Sequence, residues 1–182
     1  MADLWIPVRD IPRSGREYVL EKQEYWTDPL AEFSIPCRIE FPLRAHLFVL
    51  PQDDGALVQG TLRGVVFLPC DRCMEDARFE VQHTFESFEP FPPLYGEETT
   101  DGGDVDAEVV RLTRDRRGVE MNLAALAWEE FSLLLPTKPL CDPACKGLCR
   151  NCGTNLNHMV CACVADAGDP RLAPLRGLTV NR

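Results

Sequence analysis

Alternation of apolar and polar side chains dominates the first two thirds of the chain and predicts strands. Residues 1–36 mix polar and aromatic groups with Pro7, Pro12, Pro29 and Pro36. They read as short strands and turns, with Arg16 to Glu21 able to pair as an edge strand. From Cys37 the pattern sharpens: Arg38-Ile39-Glu40-Phe41 alternates and Leu43 to Leu50 is rich in apolar residues. Pro51-Gln52-Asp53-Asp54-Gly55 has turn composition. Ala56 to Leu68 follows, and then Phe79, Val81, His83, Phe85 and Phe88. Three such runs joined by short connections predict an antiparallel meander.

The period then changes. Pro90 to Asp106 combines three prolines and three glycines with five acidic residues, which predicts a mobile acidic loop over 90–106. Ala107 to Leu112 reads as a further strand. Asn122 is placed to cap a helix, Leu123, Leu126, Ala127, Phe131 and Leu134 recur at helical spacing, and Pro136 stops the run. This helix reads as a lid over one sheet face, with Glu129 and Glu130 as solvated carboxylates. The expected architecture is α+β: a mainly antiparallel β-sheet with one packing helix and a C-terminal cysteine-rich zinc-knuckle module. Its parts are an N-terminal extension with short strands (1–36), a sheet-and-helix body (37–136) and a zinc-binding module with its tail (137–182). In that tail Leu172, Leu175 and Leu178 fall at three-residue steps, while Pro170 and Pro174 exclude one long helix.

Length and composition change this picture little. With 182 residues, 45% apolar and 26% charged, the chain can build a core without covalent staples. No run reaches the roughly 18–20 apolar residues of a membrane span, and Met1 to Asp10 has no secretory pattern. The expected location is the cytoplasm, where clustered cysteines read as metal ligands or redox groups rather than disulfides. Charge is more informative. The net value is −10, yet residues 137–182 hold six basic against three acidic residues, so a +3 tail is joined to a −13 body. Such a body disfavours sequence-independent nucleic-acid binding and suits a basic partner.

Nine cysteines carry the candidate chemistry, six of them within 23 residues as C-x3-C-x3-C-x2-C-x8-C-x-C. In Cys149-Arg150-Asn151-Cys152-Gly153, two thiolates two residues apart reach one metal from a tight turn, and the glycine permits positive φ. Four soft thiolates with no open position suit structural zinc, and less well an iron–sulfur cluster. Cys149 and Cys152 are the firmest pair and Cys161 and Cys163 the preferred second, with Cys141 and Cys145 competing. Two zincs sharing bridging sulfurs is a further arrangement. His158 is a possible substitute ligand, read here as a surface residue. The segment holds little apolar material, so metal would supply much of its folding free energy, on the order of 10 kcal/mol. Cys70-Asp71-Arg72-Cys73 lies between two strand-like runs. It reads as a second metal half-site with Cys141 and Cys145 or a partner chain, as a structural turn with reduced thiols, or, least favoured, as a redox pair. Cys37 reads as a small buried apolar residue.

Cys70-Asp71-Arg72-Cys73-Met74, the run Pro139 to Asn157, Cys161-Ala162-Cys163 and Asp169-Pro170-Arg171 together resemble the YceD family over roughly Cys37 to Leu178. Arg150 departs from the proline the family usually carries in that knuckle. The resemblance implies a role in accumulation of large-subunit ribosomal RNA, through processing or stability of its precursor. It also implies a link to the zinc-containing ribosomal protein L32, and no established catalysis. The expected function is therefore non-catalytic. Lys146, Arg150, Arg171 and Arg176 would meet RNA phosphates, or the acidic body would hold a basic ribosomal protein. A redox-responsive zinc chaperone and a ribonuclease are the rival readings.

Overall fold

The computed structural model of the protein describes residues 3–92, 109–112 and 118–163. In chain order the elements are β1 (Trp5–Pro7), a 3-10 turn (Val8–Asp10), β2 (Arg16–Leu20), α1 (Glu24–Glu32), β3 (Arg38–Pro51), β4 (Gly55–Pro69), β5 (Asp76–Pro90), β6 (Val110–Leu112), β7 (Val119–Asn122) and α2 (Leu123–Leu134). They form a four-stranded sheet, β2-β3-β4-β5, and a three-stranded sheet, β1-β7-β6. Every pairing is antiparallel.

The large sheet is built on the predicted meander, with β2 as an edge strand. Its alternation sorts the two faces. Leu43, Ala45, Leu47, Val49, Val58, Leu62, Val66, Val81 and Phe85 are buried in one cluster with residues of both helices. Arg44, His46, Gln59, Arg63, Gln82, Thr84 and Glu86 are exposed on the other face. Between the Phe41–Val65 and Arg44–Arg63 pairs, Pro42 and Leu43 oppose Gly64 alone. Proline cannot donate to the ladder, and a bulge relieves that demand. The amide of Gln23 completes the repair, accepting from the Leu43 N–H (3.1 Å) and donating to its carbonyl (3.0 Å).

Two helices pack on this sheet where one was expected. Helix α1 lies in the stretch read as strands and turns, because Pro29 is an unfavourable helix residue and sits inside it. Packing compensates: Tyr25, Trp26 and Leu30 are buried, and the Trp26 ring meets Phe131 of α2 edge-on at 5.6 Å. Helix α2 begins where the capping rule placed it. The Asn122 side chain accepts from the Ala125 N–H at 3.3 Å and from the Leu4 N–H at 3.1 Å, and donates to Asp3 at 2.9 Å. One buried amide thus caps α2 and fixes the incoming β1.

Of the expected strand over Ala107–Leu112, Val110–Leu112 form β6, and residues 107–108 lie outside the described residues. From residue 93 onward the expected acidic loop lies outside the described residues, as do Leu172, Leu175 and Leu178 of the tail. No helix among the described residues is long and apolar enough to cross a membrane.

Candidate metal centres

The β4–β5 hairpin ends at the pair Pro69–Asp76, and the six residues between them carry Cys70 and Cys73. Inside this tip Met74 N–H donates to the Cys70 carbonyl (2.9 Å), and Cys70 N–H donates to the Glu75 carbonyl (2.8 Å). Met74 adopts φ +64°, in the left-handed region. The turn at Cys149 repeats this construction. Leu148 and Asn155 form an antiparallel bridge around six residues carrying Cys149 and Cys152. Gly153 N–H donates to the Cys149 carbonyl (2.9 Å), and Cys149 N–H to the Thr154 carbonyl (2.8 Å). Gly153 takes φ +72°. Position for position, the two C-x2-C tips share one hydrogen-bond plan.

The remaining four thiols complete two sets. Cys70, Cys73, Cys141 and Cys145 have their Sγ atoms within 4.8 Å of one another, and so do Cys149, Cys152, Cys161 and Cys163. No sulfur belongs to both. Sγ separations are 3.9 Å for Cys70–Cys145, 3.5 Å for Cys73–Cys141 and 3.4 Å for Cys149–Cys161. Four sulfurs at about 2.3 Å from a tetrahedral zinc stand about 3.8 Å apart, so the donor set fits that ion. All nine cysteines are free thiols.

In both sets the first thiol of the C-x2-C tip is drawn down. Burial opposes ionisation of Cys70, but N–H groups of Cys141, Arg72 and Cys73 outweigh it and bring the thiol down to about 6. The N–H groups of Cys152 and Asn151, with the Cys161 thiol, bring Cys149 down to about 6. One later member of each set is driven strongly the other way. Cys141 is pushed up to about 12, first by its hydrogen bond with Cys73 and then by burial. Cys163 is pushed up to about 12, first by its bond with Cys152 and then by burial. Sulfurs packed this closely cannot all shed their protons alone, and a bound dication removes that conflict. Either set could hold a metal ion.

The two sets differ in setting. Cys70, Cys73 and Cys145 are buried with Ala77 and the partly buried Leu140, forming a small cluster apart from the main core. The second set has Cys152 and Cys163 exposed. Around the first set, the Arg72 guanidinium donates to the carbonyls of Cys145 (2.8 Å) and Pro143 (3.3 Å). Asp71 N–H donates to the Pro139 carbonyl, and Leu148 N–H to that of Arg72. Asn157 donates to Cys145 Sγ at 3.2 Å and accepts from the Lys146 N–H at 2.7 Å. His158 is exposed, its Nε2 2.8 Å from Glu75 Oε1. Arg72 and Asn157 were not singled out from the sequence as organising residues. A charged residue inside a C-x2-C turn was the available signal for Arg72.

Lys146 and Arg150 are exposed on this module, whereas Arg171 and Arg176 lie outside the described residues. Cys37 belongs to neither set; it packs partly buried against the main core, and burial raises its thiol to about 11. Glu130 is not a free carboxylate: it lies 3.4 Å from His83 Nε2, tying α2 to β5.

Residues 58–179, which include both knuckles and all eight clustered cysteines, match the family model for the Large ribosomal RNA subunit accumulation protein YceD. The chain belongs to the YceD family. An uncharacterized protein of Mycobacterium tuberculosis is 29% identical over 162 residues, covering 81% of this chain and 69% of that relative. The chloroplastic Large ribosomal RNA subunit accumulation protein YCED homolog 1 of Arabidopsis thaliana is 24% identical over 156 residues, covering 75% of this chain and 48% of the relative. Its Zea mays counterpart is 28% identical over 140 residues, covering 66% and 48%. The chain thus spans about half the length of these plant relatives. No solved structure matches it.

Proposed function

We propose that this YceD protein promotes accumulation of large-subunit ribosomal RNA as a non-catalytic factor in the cytoplasm, acting by binding. The observation that carries the reading is the family match across residues 58–179. In this reading zinc held by Cys149, Cys152, Cys161 and Cys163 shapes the C-terminal module. Its exposed Lys146 and Arg150, joined by Arg171 and Arg176, meet phosphates of precursor RNA. Such contacts position RNA without reading its sequence. An alternative within the same function has the acidic body gripping a basic ribosomal protein, of which L32 is one candidate, with RNA held indirectly.

Support for a non-catalytic role comes from the donor sets. Four thiolates saturate a tetrahedral ion and leave no position for a reacting water, which a metallohydrolase needs. The test is capture of the tagged chain from cell extract at two salt concentrations, with RNA and proteins identified. Precursor large-subunit RNA recovered without ribosomal protein supports direct contact, and recovery only with a ribosomal protein supports the mediated form. Cleavage of precursor RNA by the purified chain, abolished by one carboxylate substitution, would overturn the binding mechanism.

A further inference from the structure

We propose that the chain carries two separate zinc centres of unequal lability. The one formed by Cys70, Cys73, Cys141 and Cys145 is a slowly released clamp that fastens the C-terminal module to the tip of the β4–β5 hairpin.

The hydrogen-bond plan shared by the two C-x2-C tips is the first ground. Each directs the first thiol toward backbone N–H groups two and three residues ahead, and each turns back through a residue at positive φ. Met74 accepts φ +64° without being glycine. Positive φ is common in hairpin turns; what the two tips share is that Met74 takes it at the position Gly153 holds in the other, so both backbones present their thiols alike. Segment order is the second ground. The first set joins thiols 68 residues apart, Cys73 and Cys141, with β5, β6, β7 and α2 between them in the chain. The second closes only the local stretch from Cys149 to Cys163. The first ion therefore governs tertiary attachment and the second governs local shape.

Access sets the difference in lability. A chelator must reach the ion or its sulfurs to displace a ligand. In the first set three sulfur-bearing residues are buried, at 0–4% exposure for Cys70, Cys73 and Cys145. Arg72 and Asn157 also brace the segment that supplies Cys145. In the second set Cys152 and Cys163 are open to solvent. Neither ground depends on whether the protein touches RNA, so the two readings fail separately.

The test uses the full chain, loaded with zinc under reducing conditions and dialysed into metal-free buffer. Elemental analysis should return two zinc ions per chain, falling to one in Cys163→Ser and to one in Cys73→Ser. A chromogenic chelator should withdraw zinc from the wild type in two phases of one equivalent each, at rates at least tenfold apart. The fast phase should vanish in Cys163→Ser. Loss of the slow equivalent should expose the Asp71 and Leu148 amides to hydrogen exchange, while loss of the fast one should expose Gly153. Should Cys73→Ser fail to fold, Cys141→Ser alters the exposed ligand of the same centre, and wild-type stoichiometry and release decide the matter alone. One zinc per chain, a single release phase, or loss of the slow equivalent in Cys163→Ser overturns the proposal.

Discussion

Replacing Gly147 by alanine tests how the C-terminal segment docks on the hairpin. Gly147 takes φ +77°, and a Cβ there would stand 2.9 Å from the Arg72 carbonyl oxygen and 3.3 Å from Arg72 Cβ. The left-handed conformation costs an L-residue about 1–2 kcal/mol. The contact adds to this because the obstacle is largely backbone, and Leu148 N–H donates to that same carbonyl at 3.0 Å. Moving the carbonyl aside forfeits a bond worth about 1 kcal/mol net. The total is about 2–3 kcal/mol, near a hundredfold in an opening equilibrium. Gly153 supplies the control, since it has φ +72° but nothing within 4 Å of its added Cβ. Gly153→Ala should therefore cost about 1–2 kcal/mol, the backbone share alone. Hydrogen exchange at the Leu148 amide of the zinc-loaded protein reads the Gly147 effect, and urea unfolding ranks both variants. Unchanged Leu148 protection in Gly147→Ala, or a larger loss in Gly153→Ala, would refute the docking argument.

Two further predictions rest on single groups. Asn122→Ala removes a cap and strands the Leu4 and Ala125 N–H groups, so it should destabilise the fold by about 2–3 kcal/mol in urea unfolding; a loss below 0.5 kcal/mol (roughly the scale of a neutral surface change) would remove Asn122 from the fold's main ties. In metal-free protein the Cys149 thiol lies near 6, below its ordinary value of 9.0. Its contribution to stability is full above pH 9 and is lost as pH falls through 6, so the metal-free chain should unfold more easily at pH 6 than at pH 9. By mass spectrometry Cys149 should alkylate ahead of the more exposed Cys163, which is pushed up to about 12; the reverse order would refute the assignment.

The fold was legible where one local signal decided it. The meander from Cys37 to Phe88 shows in alternation alone, because one face of each strand is buried and the period of two is strict. Asn122 was found because capping chemistry is local. Helix α1 was missed for the converse reason: Pro29 argues against a helix locally, and only burial of Tyr25, Trp26 and Leu30 against distant residues outweighs it. Spacing shows that Cys149 and Cys152 can share an ion, since both stand on one turn. It does not place Cys70 and Cys73 beside Cys141 and Cys145, because that meeting depends on the path of α2 and residues 135–140. The roles of Arg72 and Asn157 are hidden for the same reason: each acts on carbonyls or sulfurs contributed by another stretch of chain.

The charge of the module bounds what an RNA contact can look like. Each four-thiolate zinc centre carries −2, so filling the sites offsets the excess of basic residues that the sequence places in 137–182. Attraction to phosphate must then come from particular side chains rather than from a basic field. The candidates are Lys146, Arg150, Arg171 and Arg176. Four cations on single-stranded RNA give a slope of log affinity against log salt no steeper than about −2.8. Lys146→Ala and Arg150→Ala together should flatten it by about 1.4. Titration of precursor RNA fragments by fluorescence anisotropy, across several salt concentrations, measures both values. A slope well beyond −2.8 would mean that other cations, such as the exposed Arg44 and Arg63 paired on the outer sheet face, take the phosphates. A slope unmoved by the double substitution would remove the module from the RNA interface and leave the acidic body, with a basic protein between it and the RNA, as the binding surface.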